Sequence, residues 1–164
     1  MIADGKELIT GNERGELVVP ELKDEKVYIT FKDDVTNLSG SFMDCSALKS
    51  IPENLFANCP NVTTFFSEKG IEDEGAFMNC TSLTTIPEKL FANNPAVTSF
   101  FHAFEGCTAL TGESPYTMIG DQKVHLYERA NYPEHFTAPT DFQTTFYGCT
   151  GLTDYAQIPS DWKE

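Results

Sequence analysis

A solenoid of stacked coils is the fold class this sequence predicts, and two observations predict it. Phe42 to Phe66 reads FMDCSALKSIPENLFANCPNVTTFF, and Phe77 to Phe101 reads FMNCTSLTTIPEKLFANNPAVTSFF, aligned without a gap. The start of that frame recurs as FEGCTALTG from Phe104 and as FYGCTGLTD from Phe146. Self-similarity at roughly 20–50 residues is the mark of a repeat architecture, in which each unit buries its apolar face only against its neighbours. The V-T step measures the period: 27 residues from Val35 to Val62, 35 from Val62 to Val97, and 42 from Val97 to the equivalent Pro139. The longer intervals are 27 with 8 and 15 residues let in. The period is 27. The loop insertion falls at 67–75 and a hairpin-like insertion at 112–138.

Residues 1–34 stand outside the repeat and carry 14 charged side chains, against only Asp44, Lys49 and Glu53 in 35–66. GELVVPEL and the alternating KVYITF predict two short strands, read as an N-terminal capping β-hairpin, with a piece of a preceding domain as the rival. Coil one, Val35 to Asn61, opens on a short extended piece and turns at Phe42 and Cys45. Its second strand, LKSI, is stopped by Pro52, which also suits a first helical position for PENLFAN. Coil two, Val62 to Ala96, holds the acidic loop with Glu68, Glu72, Asp73 and Glu74. Carboxylates are calcium ligands, but the spacing fits no calcium loop, and a solvated loop is the plain reading. Coil three begins at Val97; after Thr111, Gly120-Asp121 marks a turn and KVHLY a strand. The final coil runs from near Pro139 through Phe146, Cys149 and Leu152, with Trp162 covering it and the C-terminus read as a natural end.

The 164 residues suffice for one ordinary domain. A net charge of -14 excludes the basic footprint of a nucleic-acid binder and opposes docking on an anionic membrane. No run of 18 apolar residues predicts a membrane span, and no basic-then-apolar start predicts a signal peptide. An exported parent implies a chain trimmed of its address.

The five cysteines fall under the repeat. Cys45, Cys80, Cys107 and Cys149 share one place in the frame, and Cys59 stands where the next repeat has Asn94. A column of free, inward thiols is expected, beside the columns of Phe42, Phe77, Phe104 and Phe146. The odd count and the lack of C-x-x-C weigh against disulfides and metal.

The repeats resemble the leucine-rich repeats of BspA-like bacterial surface proteins of the Bacteroidetes type. VTNLSGSFMDCSALKSIPENLFANCPN fits best, with related starts at Val62, Val97 and Phe146, over about 35–111 and 139–162. The resemblance implies a right-handed leucine-rich-repeat solenoid of about four coils, built from short parallel β-strands with helical or 3-10 turns. It also implies a secreted or cell-surface protein, often a lipoprotein, with roles in adhesion. The I-P-E-x-L-F-A-N segment and the period depart from the usual pattern of that family.

No G-x-S-x-G, H-E-x-x-H or P-loop pattern occurs. His102, Glu105 and Cys107 lie close in sequence, but Cys107 is a frame cysteine whose equivalents lack the histidine. The expectation is a non-enzyme with no cofactor, metal or catalytic residue. It would be a recognition module binding a host or bacterial surface protein or glycan through the solenoid face or the 112–138 insertion. In that insertion Tyr116, Tyr127, Arg129 and Tyr132 are the candidate ligand-binding residues, as side chains of the kind that anchor interfaces, with packing of the hairpin onto its parent as the competing reading. A structural spacer within a larger envelope protein is the alternative, and a hydrolase the distant one.

Overall fold

The computed structural model describes residues 2–3, 6–7, 27–28, 35–66 and 74–164. The chain divides into two compact units, Met1–Lys32 and Asp33–Glu164. In the first, β1 (Ile2–Ala3) pairs antiparallel with both β2 (Lys6–Glu7) and β3 (Val27–Tyr28). Val27 and Tyr28 belong to the KVYITF segment; the strand expected in GELVVPEL lies outside the described residues.

In the second unit, β4 (Tyr116–Ile119) and β5 (Gln122–His125) form an antiparallel hairpin, with Tyr116 opposite His125 and Ile119 opposite Gln122. Gly120, at φ 60°, supplies the left-handed residue that a two-residue hairpin loop requires. Short 3-10 turns follow at Leu126–Asn131 and Ser160–Trp162.

The leucine-rich-repeat solenoid is therefore corrected. Regular strand in the described part of this unit is confined to one two-stranded antiparallel hairpin, not a stack of parallel strands in four coils. Where repeated segments meet, they do so at single parallel bridges: Asn37 to Thr64, Thr64 to Ser99, Ser99 to Asp141, and Gly112 to Leu152. The physical reason lies in the residues between bridges. Asp44, Asn79, Gly106 and Gly148, one before each frame cysteine, all have positive φ (58°, 60°, 71° and 80°). A left-handed residue turns the chain out of extension, so pairing cannot propagate into a strand. Pro52 and Pro87 remove a ladder donor just after Ile51 and Ile86.

The turns themselves are in register. Phe42, Phe77, Phe104 and Phe146 stack with ring centroids 5.1, 5.3 and 5.9 Å apart and planes within 4°. The N–H groups of Phe42, Phe77 and Phe104 donate to the carbonyls of Ala76, Ala103 and Thr145 at 2.8–3.0 Å. Each thiol of Cys80, Cys107 and Cys149 donates to the preceding phenylalanine carbonyl (Phe42, Phe77, Phe104), all at 3.1 Å. Phe77, Phe104 and Phe146 are fully buried, and each such ring contributes about 2–3 kcal/mol. Phe42 and Cys45, in the first copy, are not buried.

Candidate functional site

Histidine, serine and aspartate converge beside the hairpin, all three nearly excluded from solvent. Ser114 precedes β4, His125 ends β5, and Asp154 follows Thr153, whose N–H is tied to the Gly112 carbonyl. Asp154 takes the Ser114 N–H on Oδ1 (2.9 Å) and its hydroxyl on Oδ2 (2.5 Å). Ser114 Oγ also lies 2.9 Å from His125 Nδ1. The other imidazole nitrogen, Nε2, lies 3.4 Å from Glu113 Oε1. Glu128 reaches back to the His125 N–H at 2.9 Å, which starts the 3-10 turn and fixes the histidine backbone. Tyr127 stacks on the imidazole (5.1 Å, 7°), and Tyr116 meets it edge-on. Burial, followed by the charges of Asp154 and Glu128, pushes the Tyr127 phenol up to about 12.

The residue types are those of a hydrolytic triad; the arrangement is not. A nucleophile relay places the imidazole between hydroxyl and carboxylate. Here the hydroxyl bonds both partners, so its proton is held by Asp154, and Ser114 is 1% exposed. The hydrolase reading is corrected on this geometry. No group of three or more metal-ligating side chains occurs among the described residues.

His102, Glu105 and Thr144 form a second polar group. His102 Nδ1 contacts Glu105 Oε2 and lies 2.7 Å from Thr144 Oγ1. Both His102 and Thr144 have φ 52°, unusual for non-glycine residues and more so for a β-branched one. Cys107 stands apart from this chemistry, donating its S–H to the Phe77 carbonyl.

The four residues expected to meet a ligand are engaged within the chain. Arg129 is 0% exposed, its guanidinium donating to the carbonyls of Phe91 (2.9 Å) and Asn94 (3.1 Å). Tyr116 OH donates to Glu88, and Tyr132 OH accepts from Gln122. Tyr127 belongs to the histidine cluster. The Ser114–His125–Asp154 cluster was not legible in sequence, since its members are separated by 11 and 29 residues and match no motif.

No family model, curated protein or solved structure matches the chain. The resemblance to BspA-like leucine-rich-repeat surface proteins is corrected accordingly, and with it the adhesion and lipoprotein roles it implied. The recognition role assigned to a solenoid face falls with the solenoid, and the insertion loses its arginine anchor to the interior. No helix among the described residues is long and apolar enough to cross a membrane.

Proposed function

We propose that residues 33–164 act as a non-catalytic structural unit. One observation carries the reading: side chains with chemical potential are committed to holding backbone in place. Arg129 ties down two carbonyls, three frame thiols tie down three more, and the Ser114 hydroxyl is held between His125 and Asp154. A reactive serine or thiol needs a free approach and a base able to take its proton. The charge of -14 further favours partners other than nucleic acid.

Unfolding followed separately by Trp162 fluorescence and by far-ultraviolet circular dichroism tests this role. A single structural unit gives coincident transitions. Turnover of a model ester or peptide that disappears on Ser114→Ala, with the transition unchanged, refutes it. Placement at a cell surface or in the secreted fraction is a second proposal, favoured by an uncharged polar surface that includes the exposed residues Thr81, Thr84, Thr108, Thr111, Thr150 and Thr153. Cell fractionation with an antibody to the chain tests it.

A further inference from the structure

The neutral imidazole of His125 suits its surroundings at one nitrogen and not at the other. Ser114 has one hydroxyl proton, and the 2.5 Å contact to Asp154 Oδ2 uses it. Its oxygen is therefore the acceptor toward His125, and Nδ1, 2.9 Å away, is the donor. In the neutral ring Nε2 is then a bare acceptor, and it faces Glu113 Oε1 at 3.4 Å. Two acceptors meet.

A proton on Nε2 turns that meeting into a charge-assisted hydrogen bond. It also sets an imidazolium between two carboxylates, since Asp154 Oδ2 lies 3.6 Å from Nδ1. We infer that the Ser114–His125–Asp154 cluster with Glu113 is a proton-linked latch: a proton held at His125 Nε2 fastens the β4–β5 hairpin to the segment carrying Asp154, and its loss loosens them.

The groups facing the imidazole are the carboxylates of Glu113 and Asp154, the Ser114 hydroxyl, and the rings of Tyr116 and Tyr127. Glu128 sits on the histidine N–H, and Lys123 on β5 pairs with Glu113 and competes for it. Carboxylates therefore outnumber cations around the ring. The latch spans three segments, so its state reaches beyond the hairpin. Histidine is the side chain whose charge changes between neutral and mildly acid solution.

Melting of the full chain at about pH 8 and about pH 6 tests the latch, as wild type, Glu113→Gln and His125→Gln. Acidification also discharges the rest of this acidic chain, so the quantity read is the difference between variants. Wild type is expected to gain about 3 °C over each variant on going from the higher pH to the lower. Glu113 has a side chain 35% exposed, so its amide variant keeps the fold and the test if His125→Gln does not fold. Long-range proton–nitrogen spectra at the higher pH should show Nδ1–H for His125. Parallel melting of wild type and Glu113→Gln, or an Nε2–H tautomer at the higher pH, overturns the latch.

Discussion

Arg129 repeats the task of Asn94 one layer along the unit, 35 residues later. Asn94 Nδ2 donates to the carbonyls of Phe56 and Cys59 at 3.2 and 2.8 Å. Arg129 donates to the carbonyls of Phe91 and Asn94, the matching atoms of the next copy. The cation is held between rings rather than by a carboxylate, 4.5 Å from Phe136 and 5.5 Å from Phe100. Burial lowers its guanidinium to about 9.

Arg129→Ala should be among the most damaging single changes. It leaves two buried carbonyls without donors and opens a cavity under Phe136, an expected loss of about 4 kcal/mol. Arg129→Met fills the space and removes a desolvated charge, so its loss should be smaller by about 2 kcal/mol. Urea unfolding of the two variants measures the gap, and equal losses would show that the hydrogen bonds alone matter.

Alkaline solution should weaken the unit through Tyr127. Its phenol is raised from the ordinary 10 to about 12, so the fold favours the neutral ring. Between those values the unfolded chain has already released this proton while the folded chain keeps it. The unfolded state then binds fewer protons, and stability falls as pH rises. Tyr127→Phe lacks this slope; unfolding midpoints on either side of pH 10 for both proteins give the comparison.

Thiol chemistry should divide the cysteines one against four. Cys45 is exposed, whereas Cys59, Cys80, Cys107 and Cys149 are buried. Burial pushes the Cys149 thiol up to about 12, and Cys80 is raised first by its hydrogen bond with Cys107 and then by burial. Reaction of native protein with iodoacetamide should add one group, slowly, because burial also raises Cys45. Denaturant should expose the rest, and Cys45→Ser should abolish the native adduct by mass spectrometry.

Two glycines at equivalent places should respond differently to alanine. Both are left-handed, but a Cβ on Gly106 would fall 2.4 Å from Asn79 Oδ1, whereas on Gly148 the nearest atom is 3.7 Å away. Gly148→Ala then carries backbone strain alone, about 1 kcal/mol, and Gly106→Ala about 2–3 kcal/mol. Thermal melts rank the pair.

The frame visible in sequence located the interior: after the first copy, its phenylalanines Phe77, Phe104 and Phe146 and its cysteines Cys80, Cys107 and Cys149 are buried as their repetition predicts. The error was in the backbone between them. Asp, Asn, Gly and Gly before successive cysteines are the residue types that tolerate positive φ, and that signal stood in the sequence. Read as turn residues, they limit pairing to single bridges. The histidine cluster was hidden for another reason. Ser114 and Asp154 meet only because Thr153 binds the Gly112 carbonyl, a contact that depends on the folded path and not on local pattern. Arg129 stood in sequence between a ligand-binding role and packing of the insertion onto its parent. Arginine is almost never fully buried, so its residue type alone did not mark it for the interior where it lies.

Trp162 gives its carbonyl to the Phe146 N–H at 2.9 Å, and its indole lies flat on Phe142 at 4.7 Å. Each earlier phenylalanine N–H in that column meets a later segment of the same unit. A peptide amide and a phenyl face without such a cover form a template on which another molecule can grow. The tryptophan turn therefore closes the open end of the phenylalanine column: a protein shortened before Ser160 would leave the Phe146 N–H without its acceptor and the Phe142 ring without its cover.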